Sequence, residues 1–184
     1  QENKLPLGIS SLIVGDHTVG KAMSEDKRIP LLSFTGSTKV GREVGVKVQE
    51  RFGKSILELG GNNAIIITQD ADIDMSVIGA LFGAVGTAGQ RCTTTRRLII
   101  HESIYDQVKD RLVKAYGQLN IGNPLDPKNH VGPLIDKEAV AQYEAAIEKC
   151  KKEGGKFVVE GGLLSGKGYE SGCYVKPCIA EVEN

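Results

Sequence analysis

Apolar and polar positions alternate with two different periods along this chain. Val40, Val44 and Val48 recur every fourth residue after Gly36-Ser37, with Phe52 one turn further on. That spacing predicts a helix with one apolar face, started by Ser37 or Thr38 and ended at Gly53. Leu31 to Thr35 before it and Ile56 to Leu59 after it are too short for helices and read as strands, as does Ala64 to Thr68 beyond Gly60-Gly61-Asn62-Asn63. Asp70 to Asp74 leads into a helix near Met75 to Val85, acidic where a helix start is positive. Arg97 to Ile100 reads as a strand. Ile104, Val108, Leu112 and Leu119 mark an amphipathic helix, and Val140, Tyr143, Ile147 and Cys150 mark another that stops at Gly154-Gly155. Phe157 to Glu160 reads as a strand, Gly161 to Gly172 as a loop and Tyr174 to Val182 as extended chain. Upstream, Leu5 to Gly8 reads as a turn, Ile9 to Val14 as a short buried strand, Gly15 to Thr18 as a loop and Val19 to Ser24 as a short helix. Strand and helix alternate without an internal repeat, which predicts the α/β class.

Composition narrows the function classes. The 184 residues suffice for one ordinary domain or parts of two. The 23 basic residues match the 23 acidic ones, so no nucleic-acid partner and no polybasic membrane contact is expected. No apolar run reaches the ~18 residues of a membrane span. The start, Gln1-Glu2-Asn3-Lys4, has no signal-peptide character. Cys92, Cys150, Cys173 and Cys178 form no C-x-x-C pair and suit no zinc spacing, so free thiols, a reducing compartment and no metal are expected. Cys150 lies on a helix's apolar stripe and reads as a core residue. His17, His101 and His130 are scattered and read as surface residues.

Three places could carry chemistry. Gly86 to Thr95 sets Cys92 in a polar, glycine-lined turn between two apolar runs, directly after Arg91. A backbone of this kind lets a ligand approach, and a neighbouring cation favours the nucleophilic thiolate. The residues alone leave open a small side chain that merely fills a tight turn. Gly36-Ser37, between a strand and a helix, could cradle a phosphate on the free N–H groups of the helix start. It could equally be an ordinary capped turn, since no G-x-G-x-x-G is present. Glu58 lies in the apolar run Ile56-Leu57-Glu58-Leu59. Buried, it would have a raised pKa and suit a general base. In an alternating strand it would point outward instead.

Phe34-Thr35-Gly36-Ser37-Thr38, Leu57-Glu58-Leu59-Gly60-Gly61 and Gly89-Gln90-Arg91-Cys92-Thr93 resemble, in order and spacing, the signatures of the NAD(P)-dependent aldehyde dehydrogenase superfamily. Leu59 to Ala64 and Ala84 to Thr94 are similar to its subgroup acting on α-aminoadipic semialdehyde. Most of the superfamily has lysine and proline where this chain has Asn62 and Ala64. The resemblance covers essentially the whole chain. It implies an α/β, aldehyde dehydrogenase-like fold, with part of a Rossmann-type cofactor domain at 1–59 and part of an α/β catalytic domain at 60–184. It implies Cys92 as nucleophile and Glu58 as the base that activates water. Gly20, Gly36, Ser37 and Gly60 would lie at the cofactor, which is NAD, with NADP left open. Arg91 would bind the amino-acid end of the substrate. The implied function is oxidation of a small-molecule aldehyde to its acid in lysine catabolism, by a homotetramer of the cytoplasm or mitochondria. By the family's layout the chain begins within the cofactor domain and ends within the catalytic domain, so the 184 residues alone are expected to be inactive. Rival readings are an acyl-phosphate or CoA-linked dehydrogenase of the same fold, against which Glu58 speaks, and a non-catalytic fragment.

Overall fold

The computed structural model describes Pro6 and residues 8–183. They divide into two units, the first ending at Gly60 and the second beginning at Gly61. In the first, the Asp16 carboxylate accepts the Thr18 N–H at 2.9 Å and starts helix α1, His17–Glu25. Strand β1, Leu31–Thr35, helix α2, Thr38–Glu50, and strand β2, Lys54–Glu58, form a β-α-β unit whose strands pair in parallel from Leu31↔Lys54 to Thr35↔Glu58. A helix is the usual connection between parallel neighbours, which a tight turn cannot join. Val48 and Gly41 are the buried residues of α2. A Cβ on Gly41 would collide with Leu59, so glycine here permits the close approach. Arg51, beyond α2, donates to Ser24 O at 2.8 Å and Ile29 O at 2.6 Å, taking up carbonyls at and beyond the end of α1.

Several expectations change in this unit. Ile9 to Val14 is not a buried strand: it pairs with no strand among the described residues, and Leu12 is 90% exposed. An apolar run becomes a strand only where a neighbour satisfies its backbone groups. Helix α1 starts at His17, ahead of the expected Val19, because Asp16 supplies the cap. Phe52 is 96% exposed and does not continue the valine stripe. It carries the left-handed φ of 59° past the helix end, the role expected of Gly53. Gly53 serves differently, since a Cβ there would stand 2.7 Å from Arg51 Nη1 and 3.0 Å from Val48. The turn read at Leu5 to Gly8 lies partly outside the described residues.

In the second unit, strand β3, Asn63–Ile67, pairs in parallel with β4, Thr95–Ile100, and helix α3, Ile73–Val85, connects them. The Asp72 carboxylate caps α3 through the Met75 N–H at 3.0 Å. Helix α4, Tyr105–Tyr116, packs on α3, and Ile67, Val77, Ala80, Val108 and Leu112 form the buried core between them and the sheet. Leu119, read on the stripe of α4, falls beyond its end at Gly117. Helix α5, Lys137–Lys152, is capped by Asp136 through the Ala139 N–H and buries Val140 against Leu134 and Val175. Gly154, at φ 89°, turns the chain after it. Strand β5, Lys156–Val159, follows. Strand β6, Gly162–Leu163, lies in the stretch read as a loop and pairs antiparallel with β7, Val175–Lys176; β8, Ile179–Glu181, pairs antiparallel with β5. Among the described residues no helix is long and apolar enough to cross a membrane, and no cluster of His, Cys, Asp and Glu could hold a metal.

Candidate active site

In the first unit, Gly36 and Ser37 join β1 to α2. Ser37 is the N-cap, its hydroxyl accepting the Val40 N–H at 3.2 Å. The N–H groups of Thr38 and Lys39 meet no acceptor among the described residues, which leaves two exposed donors at the positive end of a thirteen-residue helix. Gly36 donates its N–H to Glu58 O at 3.0 Å, so the capped turn and the end of β2 are tied together. A Cβ at Gly36 would lie 2.5 Å from the Phe34 ring. Gly20 on α1 and Gly60 after β2 have open space where a Cβ would stand, so no neighbour among the described residues demands glycine there. Glu58 is exposed at the end of β2. The burial that one reading required is absent, and β2 does not alternate there, since Ile56, Leu57 and Glu58 are all exposed.

In the second unit, the chain leaving α3 passes through Thr87, Ala88 and Gly89 at φ of 53°, 52° and 72°. Three successive left-handed residues, two of them not glycine, are uncommon. Gln90 braces this turn: its side chain donates to Thr87 O at 3.3 Å and accepts the Ile135 N–H at 2.9 Å. Arg91 to Thr94 then close a turn of their own. Thr94 N donates to Arg91 O at 3.1 Å, and the buried Thr94 hydroxyl accepts the Arg91 N–H at 3.0 Å. Cys92 stands exposed in this turn.

The carbonyls of the turn are held by two side chains that sequence reasoning missed. Asn63 Nδ2 donates to Cys92 O at 2.6 Å and to Thr94 O at 3.1 Å. Arg96 Nη1 donates to Thr94 O at 3.1 Å and Gly61 O at 2.8 Å, while Nη2 donates to Arg91 O at 3.2 Å. Arg97 turns to Asn62 O instead. The register shift between Asn63↔Thr95 and Ala64↔Arg97 leaves Arg96 unpaired in the ladder and re-aims it. The one available signal was an arginine pair opening an otherwise apolar strand.

Arg91 lies back on the end of α3. Its guanidinium carbon is 5.2 Å from the centre of the Phe82 ring, and its buried Nε has no hydrogen-bond partner among the described residues. A Cβ on Gly86 would collide with this guanidinium. The other cysteines differ from Cys92. Cys150, Cys173 and Cys178 are half-buried, and burial pushes the Cys178 thiol pKa up while a Tyr143 hydrogen bond acts against it. All four are free thiols. His17, His101 and His130 are exposed, as expected. The structure therefore brings Gly36, Ser37 and Glu58 together in the first unit, and Arg91 and Cys92 in the second.

A sequence profile described as the aldehyde dehydrogenase family matches residues 1–184. The chain is 55% identical over 179 residues to α-aminoadipic semialdehyde dehydrogenase of Bos taurus, covering 97% of this chain and 32% of that protein. It is 47% identical to aldehyde dehydrogenase family 7 member B4 of Arabidopsis thaliana, covering 99% and 35%. Among solved structures, betaine aldehyde dehydrogenase of Staphylococcus aureus in complex with NAD+ is similar with a TM-score of 0.85 and 31% identity, over 91% of this chain and 34% of that one. Glyceraldehyde-3-phosphate dehydrogenase of Methanocaldococcus jannaschii, complexed with NADP, gives 0.88 and 36%, over 99% and 38%. The chain spans about a third of the length of the curated relatives it matches.

Proposed function

The chain belongs to the aldehyde dehydrogenase family, with its α/β fold, and from that premise we propose that it supplies the nucleophile, the base and part of the cofactor site for NAD-dependent oxidation of α-aminoadipic semialdehyde to its acid, in lysine catabolism. The observation that carries the reading is Cys92, exposed in a turn whose carbonyls at 91, 92 and 94 are all engaged by side chains. The Cys92 thiolate attacks the aldehyde carbon, and the carbonyl oxygen takes up negative charge. The Cys92 N–H, which meets no acceptor among the described residues, is a donor for that oxygen. NAD, when bound, supplies the two-electron oxidant that makes the adduct a thioester. Glu58 takes a proton from water, the water oxygen adds to the thioester carbon, the C–S bond breaks, and the acid leaves as Cys92 is restored. Covalent catalysis divides one difficult step into two easier ones.

The residues present fit the cofactor. Two unclaimed N–H groups at the start of α2 suit a pyrophosphate, with Ser37 beside them and no side chain at Gly36 to block approach. Gly20 and Gly60 leave room in the same way. Arg91 is the residue for the carboxylate at the far end of the substrate, because a guanidinium matches a carboxylate with two parallel hydrogen bonds.

The test is NADH formation by the complete gene product carrying this sequence, over a panel of aldehydes with and without CoA. The expected result is CoA-independent turnover with the highest kcat/KM for α-aminoadipic semialdehyde, abolished by Cys92→Ala. Turnover that survives Cys92→Ala, or that requires CoA, would overturn the reading.

A further inference from the structure

We propose that Arg96 is a positioning residue that aims the backbone N–H of Cys92, acting through the carbonyl of Arg91. The inference rests on Cys92 being the nucleophile. The N–H of Cys92 and the C=O of Arg91 belong to one peptide group, which is planar and trans, so they point in opposite directions within one plane. Whatever fixes Arg91 O therefore fixes the line along which the Cys92 N–H points. Arg91 O accepts from Thr94 N at 3.1 Å and from Arg96 Nη2 at 3.2 Å. The same guanidinium reaches Thr94 O and Gly61 O through Nη1, at 3.1 and 2.8 Å. A guanidinium presents its donors in a rigid plane, so three carbonyls on two of its nitrogens set its orientation, and it sets theirs.

Two further observations separate this arrangement from an ordinary surface arginine. Arg96 forms no ion pair among the described residues, so its charge is directed at backbone oxygens. A cation on a carbonyl also polarises that amide and strengthens its N–H as a donor. The peptide group that follows Cys92 is held independently, through Cys92 O on Asn63 at 2.6 Å. The nucleophile thus sits between two anchored peptide planes, one of which carries the donor for the developing oxyanion.

The experiment compares three reactions of Cys92 in the complete gene product and in its Arg96→Met and Arg96→Lys variants. Alkylation by iodoacetamide displaces iodide at a saturated carbon and forms no oxyanion. Hydrolysis of p-nitrophenyl acetate and oxidation of the aldehyde both pass through one. Arg96→Met is expected to lower kcat for the latter two about ten- to a hundredfold, less than loss of an oxyanion donor outright. Alkylation and KM for NAD should stay within about twofold, because positioning of the donor acts on the transition state alone. Arg96→Lys should recover part of the loss, since an ammonium can hold Arg91 O but not all three carbonyls. A fall in alkylation by the same factor as kcat would make Arg96 a general support of the loop and overturn the proposal. So would an unchanged kcat. If Arg96→Met does not fold, the ratio of ester hydrolysis to alkylation in Arg96→Lys decides by the same criterion. Activity that survives Cys92→Ala would instead defeat the underlying assignment of the nucleophile, a result separate from any behaviour of Arg96.

Discussion

If the proposed function holds, replacing Arg91 with alanine should change which aldehyde the complete gene product prefers. The side chain now rests on Phe82, with its guanidinium carbon 5.2 Å from the ring centre. Such a contact contributes about 0.5–1 kcal/mol at an exposed site. Its Nε is buried without a hydrogen-bond partner among the described residues, so a substrate carboxylate is met by the terminal guanidinium nitrogens. A hydrogen bond to a charged group contributes roughly 1.5–3 kcal/mol, which corresponds to about ten- to a hundredfold in kcat/KM. That is the expected loss for α-aminoadipic semialdehyde if the guanidinium meets the substrate carboxylate while staying on Phe82. If it must leave the ring, about 0.5–1 kcal/mol is given back and the loss shrinks several-fold. A plain aliphatic aldehyde of similar length has no carboxylate and should lose little. Arg91→Lys should restore only part of the preference, because a point charge cannot form the two-pronged contact. A charge effect on the Cys92 thiol would slow both substrates together and shift with pH, so pH–rate profiles are measured for both. An equal loss for both substrates at every pH would refute the assignment of Arg91 to the substrate tail.

Two other outcomes are expected. Cys92, the exposed thiol, should be alkylated first by iodoacetamide, whereas Cys178 should lag and catch up only as pH rises past the ordinary thiol range, because burial raises its pKa and the thiolate is the reacting form; peptide mapping that finds Cys150, Cys173 or Cys178 labelled first would contradict this. Glu58→Gln should keep the first turnover and lose the second half of the reaction, giving a burst of NADH followed by slow release of acid in stopped-flow; disappearance of the burst in a folded variant would give Glu58 a different task.

Much of the fold was legible because its signals are local. The cap at Ser37 and the acidic lead Asp70 to Asp74 stand next to the helices they start, and the spacing of Val108 and Leu112 reports their burial directly. The failures share a cause: they depend on neighbours that spacing cannot show. Ile9 to Val14 has the composition of a strand, yet a strand exists only as one side of a ladder. Phe52 continues the four-residue rhythm of Val40 to Val48 by one step, but the helix has ended before it. Gly53 looked like the left-handed residue, whereas its missing Cβ is needed for the approach of Val48 and Arg51.

The site divides along the same line. Cys92 could be singled out as a candidate because a cysteine in a polar turn breaks the pattern around it. Asn63, Thr94 and Arg96 could not, because they act on backbone carbonyls, and every residue has one. Which carbonyl an arginine reaches depends on strand register, and here a single unpaired residue sends Arg96 to the turn that holds Cys92 and Arg97 to Asn62. The left-handed turn ahead of Cys92 runs against propensity altogether. Thr87 and Ala88 at positive φ cost about 1–2 kcal/mol each. Glycine at either position would relieve that cost, as it does at Gly89. The strain persists because Gln90 ties the turn to Thr87 O and to the Ile135 N–H, outside the loop. A conformation imposed from outside the loop, on residues shortly before the proposed nucleophile Cys92, is what a loop shaped by its function, and not by its own preference, is expected to show.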